Sequence, residues 1–357
     1  MASETTERKR SHITTSLRRD VQAHVGTGFD DVSLVHNALP EIDYEEIDIA
    51  CELFGHKLAA PVIIESMTGG TPIAAKINAT LGKLAEELQI PMGVGSQRAA
   101  IDDPKLAYTF KVARENAPST PILANLGCPQ IVKDDGIERA KAAVEMIKAD
   151  ALLIHLNALQ ESVQLEGQTR FKGALGRIRE LVTTLSVPVL IKETGAGISR
   201  ETAVSVERAG VKGVDIAGLG GTSWAAVEYH RAKEKRRTRQ AHLGLTFWDW
   251  GITTAASIIE VAASTKVKVI ASGGVRNGLH IAKATALGAD YGGLAIPLLK
   301  SVSKSPKDAK ETLLSIIDEL RTAMFLTGSK NLDQLHHCPV VITGRTREWL
   351  IARRLLS

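Results

Sequence analysis

The chain has 357 residues, of which 44% are hydrophobic and 4% aromatic, and its formal charge is +4. This charge is too small to indicate a nucleic acid partner, no apolar run approaches the ~18 residues that a membrane span requires, and the N-terminal stretch lacks the apolar centre of a signal peptide. Cys51, Cys128 and Cys338 lack the spacing of a disulfide framework or a metal site, so we expect a cytoplasmic protein.

From Pro61 to about residue 300, short apolar runs alternate with amphipathic patterns. The apolar runs predict eight strands: Val62–Met67, Met92–Ser96, Pro121–Leu126, Ala151–Asn157, Val189–Lys192, Gly213–Ala217, Val267–Ser272 and Tyr291–Ile296. The patterns between them predict helices, among them Ile73–Leu88, Ile137–Lys148, Leu175–Leu185, Arg200–Ala209, Thr253–Ala263 and Leu279–Leu287. This alternation predicts an α/β fold, the TIM (β/α)8 barrel. An open doubly wound sheet is the alternative, but no Gly-rich dinucleotide turn follows the first strand.

The barrel divides the chain into three predicted segments: an N-terminal extension (1–60), the barrel (61–327) and a C-terminal tail (328–357). The connection after strand six, residues 219–252, is predicted to be a long loop, and such loops are usually functional or mobile. It contains a basic run at 231–239, which we interpret as solvated or facing another subunit. A helix at Ala309–Phe325 is predicted to close the barrel.

The stretch ALLIHLNALQE, residues 151–161, carries the strongest sign of a functional site. Alternate side chains of a strand share a face, so His155 and Asn157 are predicted to point the same way. Gln160 and Glu161 then follow the carboxyl end of the strand. Four hydrogen-bonding side chains that emerge from a buried strand are more typical of a site than of a surface.

Other predicted strands also end in polar residues, and in a barrel all these ends share the rim that carries the active site. These residues are Thr68, Ser96, Gln97, Arg98, Asn125, His155, Asn157, Lys192 and Ser272. A turning chain accounts for the glycines at the strand ends, but less easily for Asn125, His155, Asn157 and Lys192 together.

The segment from Ser272 to Asn277 holds Gly273, Gly274 and Arg276, and lies between a predicted strand and helix. Glycines let the backbone approach a phosphate, and the loops after strands seven and eight are the usual phosphate site of a barrel. The phosphate of flavin mononucleotide (FMN) fits there, and Lys192 is then expected near the pyrimidine edge of the flavin.

A second anion site is indicated by Arg8, Lys9 and His12 together with Arg98. An N-terminal basic cluster is by itself more often a solvated tail. Glu161 beside a diphosphate would suit Mg²⁺, which takes one or two carboxylates together with phosphate oxygens and water.

The sequence resembles the type 2, flavin-dependent isopentenyl-diphosphate isomerases. The motifs that carry the resemblance are Arg8-Lys9 with His12, Met67–Gly70, Ser96–Arg98, Ala124–Gly127, His155–Asn157 with Gln160-Glu161, Lys192-Glu193, Gly220–Trp224 with Glu228, and Ser272–Gly274. The resemblance implies a barrel that binds FMN and Mg²⁺ and interconverts isopentenyl and dimethylallyl diphosphate in isoprenoid biosynthesis. NADPH or NADH would serve only to reduce the flavin. It also implies a homo-oligomer, a tetramer or an octamer, and an N-terminal segment that closes over the site as a lid.

The same resemblance implies roles for individual residues. The substrate-binding residues are Arg8, Lys9, His12, Ser96, Gln97, Arg98, Asn157, Gln160 and Trp224. The flavin-binding residues are Met67, Thr68, Gly69, Ser96, Asn125, Lys192, Thr222, Gly273, Gly274, Arg276 and Ala295. Glu161 is the magnesium ligand. Gln160 is assigned to orientation or proton relay, because an amide is not an ordinary acid or base, and His155 and Glu228 are the other candidate catalytic residues.

Two rival functions use related barrels. Asn125–Pro129 also resembles the strand-three signature of the FMN-dependent tRNA-dihydrouridine synthases, in which a cysteine donates a proton, here Cys128. Those enzymes begin their barrel near the N-terminus and append a helical domain, and their pattern does not account for HLNALQE. Inosinate dehydrogenases need a cysteine after strand six, where this chain has Gly220–Ser223, and the His and Arg pair of hydroxy-acid oxidases is not evident. The isomerase is therefore the predicted function.

Overall fold

The computed structural model describes residues 4–356. Its N-terminal segment begins with helix α1 (Glu4–Arg18), which is followed by strands β1 (Val32–Leu34), β2 (Cys51–Leu53) and β3 (His56–Leu58). Short 3₁₀ turns lie at Phe29–Asp31 and Tyr44–Glu46. The strands β2 and β3 form an antiparallel hairpin.

Eight parallel strands then close into a barrel, as predicted. They are β4 (Val62–Ile64), β5 (Met92–Gly93), β6 (Ile122–Gly127), β7 (Ala151–His155), β8 (Val189–Lys192), β9 (Gly213–Asp215), β10 (Lys268–Ala271) and β11 (Tyr291–Leu294). Neighbours in the chain are neighbours in the barrel, and pairing of β11 with β4 closes the ring. The expected TIM (β/α)8 barrel is therefore confirmed.

The helices around the barrel alternate with the strands. They are α2 (Pro72–Leu88), α3 (Arg98–Asp102), α4 (Tyr108–Asn116), α5 (Cys128–Ile131), α6 (Gly136–Met146), α7 (Ala158–Val163), α8 (Ala174–Thr184), α9 (Arg200–Arg208), α10 (Trp224–Glu234), α11 (Thr238–Thr246), α12 (Thr254–Ala262), α13 (Gly278–Ala286) and α14 (Ile296–Val302), with a 3₁₀ turn at Pro104–Leu106. Local chemistry sets their ends. At the start of α2, for example, the Thr71 side chain accepts a hydrogen bond from the Ala74 amide, and Pro72 occupies the first helical position.

Side chains of alternate strand residues divide between two layers. Ile63, Leu153 and Leu190 pack together inside the barrel, whereas Ile64, Leu152 and Ile154 pack in the larger core that includes the surrounding helices. Burial on both faces explains why the strands read as continuous apolar runs. Because side chains fill the interior, ligands can be held only at the mouth of the barrel.

The predicted long loop after strand six is wrong. Residues 219–252 contain α10 and α11, which pack against each other as a helical hairpin. Arg231, the first residue of the basic run, is 2% exposed because it forms ion pairs with Glu228 and Glu166. The run begins inside the fold and reaches solvent only beyond that residue.

The C-terminal part comprises α15 (Pro306–Thr327), α16 (Leu332–His336), β12 (Val340–Ile342) and α17 (Gly344–Ala352). Strand β12 pairs antiparallel with β1, with Ser33 opposite Val341, so the extension and the tail hold each other beside the barrel. None of the helices in residues 4–356 is both long and apolar enough to cross a membrane.

Candidate active site at the mouth of the barrel

A large cavity lies at the carboxyl ends of the barrel strands, beneath α1. Most of the residues singled out from the sequence line it: Arg8, Lys9, His12, Met67, Thr68, Gly69, Ser96, Arg98, Asn125, His155, Asn157, Gln160, Glu161, Lys192, Thr222, Trp224, Gly273, Gly274, Arg276 and Ala295. Side chains of the helix α1 thus reach a site that is otherwise built from strand ends and the loops that follow them.

Three cations crowd the side of the cavity next to α1. The Lys9 ammonium donates to the Ser96 carbonyl oxygen at 2.6 Å, and burial together with the charges of Arg8 and Arg98 lowers the pKa of Lys9 to about 7. Burial and Arg98 also lower the pKa of Arg8. Like charges held this close repel one another, and an anion between them would relieve the repulsion. This side of the cavity is suited to a diphosphate.

The stretch after β7 presents a cluster of amides and one carboxylate. Asn157 lies at the N-cap position just before α7 rather than in the strand. Its Nδ2 donates to Gln160 Oε1 at 3.2 Å and to Glu161 Oε1 at 3.1 Å. Glu161 Oε2 accepts from Gln164 Nε2 at 2.7 Å and from the Gln168 amide at 2.6 Å. Within the described part of the chain, Asn157 Oδ1 is buried without a hydrogen-bond partner. One carboxylate and a nearby free amide oxygen fit a magnesium ion that takes its other ligands from phosphate and water.

His155 is held as a neutral imidazole. Its Nδ1 lies 2.7 Å from Asn125 Oδ1, which is an acceptor, so we assign the ring proton to Nδ1 and leave Nε2 as an acceptor. Burial and the charges of Lys192, Lys9 and Arg8 lower the pKa of His155 to about 3. At neutral pH this side chain therefore cannot deliver a proton as an imidazolium ion.

The turn after β10 has the geometry of a phosphate cradle. Gly273 and Gly274 have φ angles of +90° and +80°, and a Cβ on Gly273 would lie 2.2 Å from the Gly218 carbonyl oxygen, so both conformation and space demand glycine. Arg276 is half-buried beside this turn, and burial lowers its pKa, with no carboxylate of the described residues opposing the effect. Thr222 Oγ1 is buried, and none of the described residues forms a hydrogen bond with it. These groups fit the phosphate and polar edge of FMN.

Comparison with known proteins identifies the family. Residues 140–341 match the family model of the FMN-dependent dehydrogenases. The isopentenyl-diphosphate delta-isomerase of Thermococcus onnurineus (strain NA1) is 49% identical over 354 residues, which cover 97% of this chain and 94% of that protein. The enzyme of the same name from Methanothermobacter thermautotrophicus (strain Delta H) is 46% identical over 347 residues, covering 97% and 96% of the two chains. The chain belongs to the type 2 isopentenyl-diphosphate delta-isomerases.

The isomerase shares its fold with other proteins of known structure. A lactate oxidase of Pediococcus acidilactici superposes with a TM-score of 0.70 at 15% identity, covering 96% of this chain and 93% of that chain. A flavocytochrome b2 variant superposes with a TM-score of 0.67 at 19% identity, covering 91% and 81%. At these identities the likeness establishes the fold alone.

Two residues assigned to the isomerase site from its sequence lie outside the cavity lining. Gln97 is buried and turned outward, where its Nε2 donates to the Ala143 carbonyl oxygen at 2.8 Å and its Oε1 accepts from the Asn125 amide at 3.0 Å. Glu228 is buried behind His12, and its Oε1 lies 2.8 Å from His12 Nε2. Neither side chain is placed to touch a ligand, because each is held by neighbouring protein atoms.

Sequence reasoning missed the counterions of Lys192. The Lys192 ammonium pairs with Asp215 and, at 3.1 Å, with Glu65 Oε2. Burial alone lowers the pKa of Lys192, but the charges of Asp215 and Glu65 outweigh it and raise that pKa above its ordinary value. The available signal was a carboxylate inside each of two predicted apolar strands, Glu65 in Val62–Met67 and Asp215 in Gly213–Ala217.

Cys128, the proton donor in the rival tRNA-directed function, is not part of this site. It is fully buried in the hydrophobic core at the start of α5. Burial raises the pKa of its thiol to about 12. The relatives and this position both disfavour the dihydrouridine synthase alternative.

Proposed function

We propose that this protein interconverts isopentenyl diphosphate and dimethylallyl diphosphate with reduced FMN and Mg²⁺ bound at the mouth of the barrel. The observation that carries the proposal is the meeting, in one cavity, of the cations Arg8, Lys9 and Arg98 with Gln160 and the glycine turn. A flavin phosphate would bind at the glycine turn and a small diphosphate at the cations, so the two ligands require these surfaces side by side. The reaction moves a double bond by adding a proton at one carbon and removing one from another, without net oxidation.

The diphosphate is assigned to the cationic side. Arg8 and Lys9 lie on successive positions of α1 and His12 lies on the next turn, so one helix places three donors over the cavity. Arg98 approaches from the start of α3. Since the guanidinium groups stay charged and can bind phosphate oxygens in pairs, they bind the substrate end that does not react.

Glu161 is the proposed magnesium ligand. Its carboxylate lies on the same short helix as Gln160 and is oriented by Gln164 and the Gln168 amide. Glu161 would hold a magnesium ion there, and the ion would offset part of the negative charge of the diphosphate.

Lys192, Thr222, Arg276 and the turn at Gly273 are the proposed flavin contacts. Reduced FMN, when bound, supplies a ring that stabilises developing charge and a nitrogen that carries a proton near the alkene. Gln160 orients the groups around the reacting carbons, and neutral His155 offers Nε2 as an acceptor. Helix α1 covers the cavity and excludes water, which is the proposed lid function of the N-terminal extension.

Glu228 is assigned a positioning role. It touches His12 and Arg231 rather than the cavity. Burial opposes its charge, but His12 and Arg231 lower the pKa of Glu228 below its ordinary value. It is therefore a carboxylate that holds His12, and we do not assign it proton transfer.

The proposal also includes a nicotinamide nucleotide as flavin reductant and a homo-oligomeric state. Leu245 and Trp250, near the end of the α10–α11 hairpin, are 52% and 63% exposed, which supports an apolar contact with another subunit. No nucleic acid partner is proposed, because Glu228 and Glu166 neutralise the start of the basic run. Light scattering of the FMN-loaded protein tests the assembly.

An anaerobic assay tests the function. Purified protein is mixed with isopentenyl diphosphate, FMN and Mg²⁺, with and without dithionite or NADPH. The expected result is dimethylallyl diphosphate only when reductant is present, without consumption of stoichiometric NADPH. A yellow, flavin-loaded protein that makes no product under reducing conditions contradicts the proposal.

A further inference from the structure

The Lys192 cluster contains more negative groups than positive ones. Lys192 at the end of β8 faces two carboxyl groups, Asp215 at the end of β9 and Glu65 just after β4. Lys192, Asp215 and Glu65 are 6%, 1% and 5% exposed. With both carboxyl groups ionised, the cluster would carry one uncompensated negative charge away from water, and such a charge is costly.

The two carboxyl groups are not equally supported as anions. Asp215 accepts from the Lys192 ammonium through one oxygen and from the Ser272 hydroxyl through the other. Glu65 Oε2 accepts from Lys192 at 3.1 Å and from the Ser66 amide at 3.3 Å. Glu65 Oε1 is buried and has no hydrogen-bond partner among the residues that the structure describes. Glu65 is thus the less stabilised of the two carboxylates.

The backbone opposite leaves room for this unpartnered oxygen. A Cβ on Gly293, in the neighbouring strand β11, would lie 2.1 Å from Glu65 Oε1. Glu65 also lines the cavity together with Lys192 and Ser272, whereas Asp215 lies behind them. A proton on Glu65 would therefore be carried at the wall of the active site.

We propose that Glu65 is a protonated positioning residue, which keeps the Lys192–Asp215–Glu65 cluster neutral and holds Lys192 against the cavity. Burial and the negative charge of Asp215 raise the pKa of Glu65 to about 7, against the opposing charge of Lys192. Glu65 therefore changes charge near neutral pH.

One other buried acid near the cluster needs to be separated from Glu65. Glu193 follows Lys192 in the chain, and burial raises its pKa to about 7 as well. Its Oε2 accepts three backbone N–H bonds, from Thr194, Gly195 and Ala196, and such bonds favour the ionised form. His155, which also interacts with Lys192, stays neutral in this range because its pKa is lowered to about 3.

Infrared titration of the FMN-free protein tests the proposal directly. Protonated carboxyl groups have a distinct C=O stretch, so the protein is titrated from pH 5 to pH 9, roughly two units either side of about 7. Because the pKa of Glu193 is also about 7, Glu65 is titrated in the Glu193→Gln background. We expect a band that disappears with a midpoint of about 7 in Glu193→Gln and that is missing when Glu65→Gln is added to it. A band that persists in this double variant, or that is absent from Glu193→Gln, overturns the proposal.

A second variant checks the coupling. Asp215→Asn removes the neighbouring negative charge, so Glu65 should ionise at lower pH and its band should shift to more acidic pH. An unshifted band in Asp215→Asn shows that residue 215 does not affect the ionisation of Glu65, which also overturns the proposal. Near-ultraviolet circular dichroism establishes that each variant is folded before it is titrated.

A third measurement rests on the proposed function, because it uses bound FMN. Dithionite supplies two electrons which, with one proton, give the anionic reduced flavin, and Glu65 takes up a second proton to offset the added charge. Above pH ~7 the midpoint potential of the natural protein should therefore fall with pH as expected for the uptake of two protons per two electrons. The midpoint potential of Glu65→Gln should fall as expected for the uptake of one proton. The same proton count in both proteins contradicts this coupling, whereas failure to bind FMN contradicts the proposed function and leaves the infrared result standing.

Discussion

His12 Nε2 lies 2.8 Å from Glu228 Oε1, and this contact fastens helix α1 to helix α10 behind the cavity. Glu228 is in turn bound by Arg231, which also pairs with Glu166 after α7. The buried chain of charges links three separate parts of the sequence. It fixes the position from which Arg8 and Lys9 reach the cavity.

Replacing Glu228 with Gln should therefore weaken substrate binding more than it slows the chemical step. A hydrogen bond to a charged group contributes ~1.5–3 kcal/mol, so KM should rise roughly tenfold or more while kcat changes less. Steady-state kinetics measure both constants. Glu234→Gln, an exposed change on the same helix, serves as the control and should leave KM unaltered. A large loss of kcat at unchanged KM would instead assign Glu228 to the chemistry.

The same contact gives the docking of α1 a pH dependence. The pKa of Glu228 is lower in the folded protein than its ordinary value, so its contribution is present above that ordinary value and is lost as the pH falls through the folded-state pKa. Burial also lowers the pKa of His12, so protonation of His12 in acid weakens the docking of α1 as well. Amide hydrogen exchange of residues 4–18 should accelerate on acidification after correction for the intrinsic rate. Glu228→Gln should reduce that acceleration.

Lys9 should determine the alkaline side of the pH profile. Since its pKa is about 7, kcat/KM, which reports the free enzyme, should fall as the pH rises through that value and Lys9 loses its charge. Lys9→Arg should move this decline to higher pH, because a guanidinium group remains protonated. Lys111→Arg, an exposed change on α4, is the matched control. An identical profile for Lys9→Arg would exclude Lys9 as the titrating group.

Shortening Gln160 to Asn should leave FMN bound and depress turnover strongly. The amide is retained but withdrawn by one methylene from its contact with Asn157, and misplacement by ~1 Å can cost a hundredfold in rate. Flavin fluorescence measures binding, and product formation measures turnover. Near-normal activity would remove Gln160 from the mechanism.

Glu161→Gln should weaken the response to Mg²⁺. The amide keeps the size of the side chain but loses the charge that a hard cation prefers. We expect a higher magnesium concentration at half-maximal activity, with Glu138→Gln on α6 as an exposed control. A magnesium titration that matches the natural protein would exclude Glu161 as the ligand.

Gly273→Ala should abolish tight FMN binding and destabilise the protein. Alanine would be forced to a φ of +90° and its Cβ would lie 2.2 Å from the Gly218 carbonyl oxygen, so we expect a loss of about 1–3 kcal/mol in the free energy of unfolding. Urea denaturation and FMN titration measure the two effects. Gly176→Ala is the matched control because a Cβ there meets nothing within 4 Å, and it should be neutral or stabilising.

The repeating pattern of the sequence was enough to predict the barrel. Each strand and helix carries its own apolar period, and eight such units in succession have few ways to bury their surfaces. The motifs at the strand ends followed from the same pattern, because all those ends meet at one rim. Residues such as Asn125, His155 and Lys192 could therefore be grouped before their positions were known, and their functional roles remain predictions.

Only the tertiary structure decided the positions and contacts of the residues outside this repeat. The position of helix α1 depends on the contact of His12 with Glu228, more than two hundred residues later. Gln97 and Arg98 are neighbours in sequence, yet one packs against α6 and the other faces the cavity. The pairing of Lys192 with Asp215 and Glu65 likewise joins three different strand ends. Local periodicity predicts which elements form, whereas burial, charge pairing and protonation depend on distances that exist only once the barrel has closed.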